Sequence, residues 1–356
     1  MKEKTNNKSK KTVFTLAAVT GMSLAAVFGA VKLYNSFFPR YERPDYSTYP
    51  GVYNYEIAKQ WVSREEFYFP AGSVNLKGYY YPAEESKGMV VVVHGLHSGA
   101  DDYLPIIIYL VQNHYSVFAY DGHGTYDSEG SSTVGMCQPL VDIDYTISYI
   151  QKSQRFQTQP LFLLGHSCGG YAVTSILKLK KGIKACAAIA PVNNGYTLIL
   201  QKGQQYAGAL ATMGFSKAFL DTYQKALFGE YVEYNGVKGV NSTTIPVLIA
   251  HGTEDKVISY TEQSVISYRD YITNPNVRYY VKSGYQGGHN SIWHSEESVI
   301  YKEKIKQELK EWKKEKGSEI THEELVSFYK KVDNQLYSEI NYELMNQIIE
   351  MFDSAK

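Results

Sequence analysis

From about residue 65 onward, short apolar runs alternate with amphipathic stretches. The runs have the length and the β-branched composition of strands, and most of the stretches between them repeat apolar residues at helical spacing. This alternation predicts an α/β fold with a mostly parallel sheet and helices on both faces. The predicted strands are Glu66–Phe69 and Leu76–Tyr81 as a leading antiparallel pair, followed by Met89–Val93, Ser116–Tyr120, Leu161–Leu164, Ala185–Ala190, Val247–Ala250 and Val277–Val281.

Two further regions depart from the alternation. Residues 193–241 contain no strong strand pattern, and we expect them to form a helical cap inserted over the sheet. Near the C-terminus, Thr321 and Glu324 have the spacing of a capping box, which predicts a helix start. Leu344, Ile348 and Phe352 then recur every four residues, so the chain is expected to end in a helix that packs on the domain.

The N-terminal region contains an uncharged apolar run, Val13–Val31. At about 1.5 Å rise per residue, a helix over this run would cover roughly 28 Å, close to the hydrocarbon thickness of a bilayer. Five lysines precede the run and fewer positive residues follow it, so the lysine-rich end should stay in the cytoplasm. This pattern predicts a single-pass membrane anchor, with the rest of the chain facing away from the cytoplasm.

The chain is accordingly divided into a basic tail (1–12), a transmembrane anchor (13–38), a linker (39–64) and an α/β domain (65–356). The alternative is a signal peptide that is cleaved, which would make the protein secreted. A cleavage after Ala30 would place the bulky Phe28 at the minus-three position, where a small residue is usual. The uncleaved anchor is therefore favoured.

Composition narrows the classes of partner. The 356 residues are 44% apolar, enough for one large domain with a full core. Lysine plus arginine and aspartate plus glutamate each number 36, so no charge excess favours nucleic acid. The three cysteines lack zinc-like spacing. We expect no metal, no cofactor and no obligate protein partner, and a small-molecule substrate.

The candidate nucleophile lies in a glycine-rich turn. The sequence Gly165-His166-Ser167-Cys168-Gly169-Gly170 follows one predicted strand and precedes a helical pattern. A serine in such a strand–turn–helix context projects from the carboxyl end of the strand, and glycines two residues before and after it permit close backbone approach. Ser167 is therefore predicted to be the nucleophile.

A serine needs a histidine to accept its proton and a carboxylate to orient that histidine. Asp255 directly follows the strand Val247–Ala250 and is preferred to Glu254 as the acid. The alternative acid position, after the preceding strand, offers no carboxylate. His289, between glycines and Asn290 in the loop after the last predicted strand, is predicted to be the general base.

The negative oxygen of a tetrahedral intermediate needs two hydrogen-bond donors. In this arrangement one comes from the residue after the nucleophile and the other from the loop after an earlier strand, which predicts the backbone N–H groups of Cys168 and Leu96. His94 and His97 lack a third ligand at metal-binding spacing, so both are predicted to be structural.

Three sequence motifs resemble those of the α/β-hydrolase superfamily, in its branch of monoacylglycerol lipases, lysophospholipases and serine aminopeptidases. They are His94-Gly95-Leu96-His97, the turn from Gly122 to Ser128, and the elbow from Gly165 to Gly169. The resemblance covers roughly residues 65–355. It implies an α/β-hydrolase fold and hydrolysis through Ser167.

Three functions are weighed. The first is a membrane-anchored serine hydrolase that cleaves carboxylic esters of lipid-like or acylated small molecules through an acyl-enzyme. The alternative is a serine peptidase or amidase, which the aminopeptidase resemblance permits. A binding protein without activity would require an incomplete triad, and all three triad members are present.

Overall fold

The computed structural model describes residues 27–180, 182–199, 214–317 and 319–355. Within them the central feature is an eight-stranded sheet with the order β1-β2-β4-β3-β5-β6-β7-β8. Every predicted strand is present, with ends that differ by a few residues. The strands are β1 Glu65–Ala71, β2 Val74–Tyr81, β3 Met89–Val93, β4 Ser116–Tyr120, β5 Leu161–His166, β6 Ile183–Ile189, β7 Val247–Gly252 and β8 Val277–Lys282.

The pairing of the strands confirms the predicted α/β topology. β1 and β2 form an antiparallel pair, β2 runs antiparallel to β4, and β3 to β8 are all parallel to one another. All five residues of β3 are buried because this strand lies between β4 and β5 and is covered on both faces. A continuous valine run is what such a central strand requires.

Helices pack against both faces of the sheet and form two hydrophobic cores. Met89, Val91 and Val93 contribute to one core, while Val90 and Val92 point into the other. The helices are α1 Tyr55–Ala58, α2 Leu104–Gln112, α3 Gln138–Lys152, α4 Cys168–Ser175, α5 Gly214–Phe228, α6 Gly236–Asn241, α7 Glu296–Lys316, α8 His322–Tyr329, α9 Asn334–Ser338 and α10 Tyr342–Ser354.

The C-terminal predictions are confirmed. Thr321 caps α8, where its side chain accepts from the Glu324 N–H and the Glu324 side chain accepts from the Thr321 N–H. Leu344, Ile348 and Phe352 lie on one side of α10 and are fully buried. Their four-residue spacing places them on the stripe of the helix that packs on the sheet.

The described parts of the region predicted as a cap are mostly helical. It contains a helical turn over 195–199, then α5 and α6, and the intervening residues 200–213 lie outside the described parts of the chain. Helix α6 packs directly on α4, since a Cβ placed on Gly239 would lie 1.9 Å from the Thr174 carbonyl oxygen. The boundaries 193–241 stay a prediction.

Most of the predicted anchor, residues 13–26 of 13–38, lies outside the described residues. Among the residues that are described, no helix has the length and apolar character needed to cross a membrane. Residues 27–36 are helical. The end of this helix and the residues after it pack on the α/β domain, because Tyr34 and Phe38 are buried in one of the two cores.

The predicted linker, residues 39–64, packs on the α/β domain. The Arg43 guanidinium forms ion pairs with Asp101 and Asp127, and it donates a hydrogen bond to the Tyr79 hydroxyl. The Tyr41 N–H donates to the Gly124 carbonyl oxygen over 2.9 Å. This segment is therefore an integral part of the folded structure, because its residues form ion pairs and hydrogen bonds with the domain.

Candidate active site

Ser167 occupies a sharp turn between β5 and α4. Its backbone has φ +57° and ψ −116°, a conformation that residues other than glycine rarely adopt. The Ser167 N–H donates to the Ile189 carbonyl oxygen of β6 over 2.8 Å, which ties the turn to the sheet. Such strain persists only when the surrounding structure supports it, and it is common at nucleophiles.

The glycines that flank Ser167 are needed for space. A Cβ on Gly165 would lie 2.3 Å from the Gly169 carbonyl oxygen. A Cβ on Gly169 would lie 2.1 Å from the Val93 carbonyl oxygen at the end of β3. Both distances are far below van der Waals contact, so only glycine allows α4 to start this close to β3 and β5. The G-x-S-x-G pattern has a direct structural cause here.

Asp255 and His289 form the predicted pair. Asp255 lies three residues beyond β7, and its Oδ2 accepts a hydrogen bond from His289 Nδ1 over 2.7 Å. The other carboxylate oxygen, Oδ1, accepts from the N–H groups of Val257 and Ile258, each over 2.8 Å. One oxygen thus anchors the carboxylate to its own turn, and the other is left to orient the imidazole.

The Asp255 carboxylate is ionised in this setting. Burial opposes its ionisation, but the hydrogen bonds from His251 and His289 outweigh burial and hold the pKa of Asp255 well below its usual range. An ionised carboxylate at Nδ1 keeps the proton of His289 on that nitrogen. The Nε2 atom is then the one available as a base.

Ser167 and His289 open onto one cavity of about 970 Å³. Leu96 and Cys168, the predicted donors for the oxyanion, line the same cavity. A Cβ on Gly95 would lie 3.3 Å from the Ser167 Cβ, so the loop after β3 runs directly beside the nucleophile. The structure therefore brings four of the five predicted site residues to one cavity and holds Asp255 behind His289.

A buried hydrogen-bond chain, which the sequence reasoning missed, joins the two loops around the nucleophile. The Gly95 N–H donates to the Tyr103 hydroxyl, which donates to His166 Nδ1 over 2.8 Å. His166 Nε2 then donates to the His289 carbonyl oxygen over 3.1 Å. Burial, with His289 nearby, lowers the pKa of His166 to about 3, which keeps its ring neutral and able to accept at Nδ1.

His251 was also missed as a functional residue. Its ring is fully buried, and its Nε2 lies 3.2 Å from Asp255 Oδ2 and 3.0 Å from the Ile258 carbonyl oxygen. The N–H at Nε2 therefore gives the acid a second hydrogen-bond donor. Its position as the second-last residue of β7, four residues before Asp255, is the only sequence feature that could have pointed to it.

The Cys168 side chain is not suited to be a nucleophile. Burial raises the pKa of the Cys168 thiol to about 11, so the thiol is protonated at neutral pH. Its sulfur lies 3.9 Å from the Met136 sulfur, in an apolar setting. The contribution available from this residue is its backbone N–H, at the start of α4.

His94 has the structural role predicted for it. Its Nδ1 donates to the Gly95 carbonyl oxygen over 2.7 Å, and its Nε2 accepts from the Gly122 N–H over 2.8 Å. His97 stacks on Tyr41, with ring centroids 5.1 Å apart. Within the described ranges, no group of three or more histidine, cysteine, aspartate or glutamate side chains could hold a metal ion.

Similarities to known proteins agree with this architecture. Residues 84–221 match the family described as serine aminopeptidase, S33. The lysophosphatidylserine lipase ABHD12 of Danio rerio is 26% identical over 228 residues, which are 62% of this chain and 55% of that protein. Protein phosphatase methylesterase 1 of Candida albicans is 25% identical over 33% of this chain and 32% of its own length. The chain thus spans about half, or less, of these curated relatives.

A solved structure shows the same fold. The esterase Pf2001 of Pyrococcus furiosus superposes with a TM-score of 0.53 at 19% sequence identity. The superposition covers 78% of this chain and 97% of the esterase.

Proposed function

Since the chain is a member of the α/β-hydrolase superfamily, in its lysophospholipase-like branch, we propose that it is a serine hydrolase that cleaves carboxylic esters through an acyl-enzyme. The observation that carries the proposal is the geometry at the cavity: Ser167 stands on a strained turn, and His289 is oriented by an ionised Asp255. These are the parts that acyl transfer requires.

The proposed reaction has two halves. His289 Nε2 takes the proton of Ser167 as the serine oxygen bonds to the ester carbonyl carbon, and the N–H groups of Leu96 and Cys168 stabilise the resulting oxyanion. The alcohol leaves with the proton from His289, which forms the acyl-enzyme. Water, deprotonated by His289, then attacks the acyl group and releases a carboxylic acid and free Ser167.

The cavity favours a substrate with an apolar part. Aromatic and aliphatic side chains make up most of its wall, and such surface binds acyl chains through the hydrophobic effect. Two relatives carry names of ester hydrolases, a lysophosphatidylserine lipase and a methylesterase. We therefore place the substrate among lipid-like or acylated small-molecule esters.

The experiment is covalent labelling by a fluorophosphonate probe together with a series of aryl esters of increasing chain length. We expect Ser167→Ala to lose both labelling and turnover. The matched control is Cys168→Ala, which keeps the backbone donor and should retain much of each. Equal loss in the two variants, or no turnover of any ester by the natural protein, would contradict the proposal.

The second candidate function is hydrolysis of amides or peptides, favoured by the family match over residues 84–221. An aminopeptidase needs an anion for the substrate's ammonium group. Of the residues that the structure describes, two carboxylates line the cavity, but Glu42 pairs with Arg40, and Asp102 accepts from the Gly99 N–H and the Tyr126 hydroxyl. Release of amino acids from short peptides at rates above those of the esters would favour this alternative.

We also propose that residues 13–38 attach the protein to a membrane, with the catalytic part outside the cytoplasm. The apolar run and the lysines before it support this proposal. Fractionation of cells that express the complete chain tests it, and we expect the protein in the membrane pellet. Recovery in the medium would favour the cleaved signal peptide, and recovery in the cytosol would contradict both.

A further inference from the structure

One basic side chain, Lys302 of α7, lines the cavity. Among the described residues that form the wall there is no other lysine or arginine. Lys302 belongs to the second turn of α7, and its side chain reaches the cavity together with that of His294, which lies two residues before the start of this helix. The hydrolytic mechanism described above has no use for this ammonium group.

The partners of Lys302 are neutral. Its Nζ donates to His294 Nε2 over 2.6 Å and to the Tyr53 hydroxyl over 3.2 Å. His294 donates from Nδ1 to the Glu339 carbonyl oxygen, so its Nε2 is the acceptor. An ammonium group has three N–H donors, and one remains for a ligand.

Aromatic rings surround the same group. Nζ lies 5.1 Å from the ring centroid of Tyr337, 5.8 Å from that of Trp293 and 5.9 Å from that of Tyr53. Within the described part of the chain, the hydrogen-bond partners of Nζ are His294 and Tyr53, and no aspartate or glutamate forms an ion pair with it. A partly buried cation without a counterion is costly, and it is retained when it serves a ligand or a structural purpose.

The two carboxylates of the cavity do not neutralise this cation. Glu42 is paired with Arg40, and Asp102 is held by Gly99 and Tyr126, as described above. The cavity therefore combines an apolar wall with one positive group whose partners are all uncharged. This combination is complementary to a molecule with an apolar body and a single anionic group.

We propose that Lys302 binds an anionic group, a carboxylate or a phosphate, on the non-reacting part of the ester substrate. This inference rests on the proposed function, because it specifies which esters the site prefers. His294 and Tyr53 are positioning residues that hold the ammonium against the cavity wall. The preferred substrate is then an amphiphilic, anionic ester.

The experiment compares three para-nitrophenyl esters of equal acyl length, whose far ends carry a methyl group, a carboxylate or a phosphate. The measured quantity is the ratio of kcat/KM for each anionic ester to that for the neutral ester, so general losses of activity cancel. We expect the natural protein to prefer at least one anionic ester about tenfold or more, as for a charge-assisted hydrogen bond. The larger of the two ratios identifies carboxylate or phosphate as the ligand.

The variants are Lys302→Gln, which removes the charge, and Lys302→Arg, which keeps it. The kcat/KM ratio of anionic to neutral ester should fall to about one in Lys302→Gln and be partly restored in Lys302→Arg. Lys306→Gln is the matched control on the same helix, where the side chain is exposed, and should leave the ratio as in the natural protein. An equal ratio in the natural protein and in Lys302→Gln would overturn the proposal.

A binding measurement separates this inference from the proposed function. In a Ser167→Ala background, dissociation constants for the anionic and neutral esters are measured by calorimetry with and without Lys302→Gln. We expect the added substitution to weaken the anionic ester about tenfold and the neutral ester little. Selective anion binding without turnover by the natural protein would contradict the ester hydrolase and leave the Lys302 site standing, whereas binding without selectivity would overturn the site.

Discussion

At the residue scale, the two oxygens of Asp255 have different tasks. Oδ1 accepts two backbone N–H groups of its own turn, and Oδ2 orients His289. In Asp255→Asn the amide oxygen can still accept the backbone N–H groups, but the amide NH₂ would face His289 Nδ1 and impose the wrong tautomer. We expect turnover of an aryl ester to fall by about a thousandfold or more, with the fold retained by circular dichroism.

The neighbouring Glu254 provides the matched control. Its side chain is exposed and accepts a hydrogen bond from the Thr253 hydroxyl over 2.8 Å. Glu254→Gln keeps an acceptor there and should change turnover by no more than about twofold. A large loss in Glu254→Gln with little loss in Asp255→Asn would show that the acid of the site is one residue away from the one assigned.

The charge of Lys302 predicts a pH dependence of substrate preference. Burial lowers the pKa of Lys302 to about 7. The ammonium is charged below that pH, so the preference for a carboxylate-bearing ester should be present there and be lost as the pH rises through about 7 to 9. A bound anion favours the charged lysine, which moves the midpoint upward.

The groups that face Lys302 should not interfere with this titration. Burial raises the pKa of Tyr53 well above its usual value and that of Tyr337 to about 12, and burial and Lys302 together lower that of His294 well below its usual value. The kcat/KM ratio of the carboxylate ester to the neutral ester, measured across this pH range, reports Lys302, because a change in the proposed catalytic groups would alter the turnover of both esters alike. A ratio that stays constant would contradict the lowered pKa.

At the element scale, the start of α4 depends on contact with the end of β3. Gly169→Ala would bring a methyl group onto the Val93 carbonyl oxygen and force the helix away from the strand. We expect the free energy of unfolding to fall by at least about 2 kcal/mol, as for other overpacked sites. Fluorophosphonate labelling should also be lost, because Ser167 and the Cys168 N–H belong to this turn. Denaturant unfolding and labelling are the two measurements.

Gly29 offers the control for this substitution. It lies in the helix over 27–36, and no atom would lie within 4 Å of an added Cβ. Gly29→Ala should leave stability and labelling close to those of the natural protein. If Gly169→Ala behaved in the same way, the close approach of α4 to β3 would not be what holds the nucleophile.

At the scale of the whole molecule, the segment before residue 39 forms part of the wall of the cavity that holds Ser167 and His289. Tyr34, Phe37 and Phe38 line the cavity, and the Tyr34 hydroxyl accepts from Gln224 Nε2 over 2.8 Å. A fragment that begins at Pro39 would lose this wall. We expect it to melt at a lower temperature and to hydrolyse long-chain esters more slowly than a fragment that begins at residue 27, because buried aromatic surface is lost.

Point substitutions in the complete chain show whether a loss of stability comes from the loss of buried aromatic rings or from removal of the whole segment. Tyr34→Ala removes a buried ring and should lower the free energy of unfolding by roughly 3 kcal/mol. Phe28 is 62% exposed in the same helix, and Phe28→Ala should have little effect on the fold. Equal stability of the two fragments and of both variants would show that residues 34–38 do not belong to the domain.

The sequence alone determined the strands, the C-terminal helix and the predicted triad. These features follow from local rules: β-branched runs form buried strands, and a serine between glycines at a strand end forms an elbow. The order of Ser167, Asp255 and His289 places all three at the carboxyl edge of a parallel sheet. That these three residues lie close together could therefore be predicted from the sequence.

Tertiary structure alone decided how distant segments complete the site. Lys302 meets Tyr53, and Arg43 joins the segment before the domain to Asp127, across separations of 249 and 84 residues. Hydrophobic periodicity reports which face of an element is buried, but it does not say which other segment covers that face. Three features depend on which distant segments pack together, and this is decided only in the folded protein. They are the hydrogen-bond chain through Tyr103 and His166, the cavity wall formed by residues 34–38, and the position of Lys302 in the cavity.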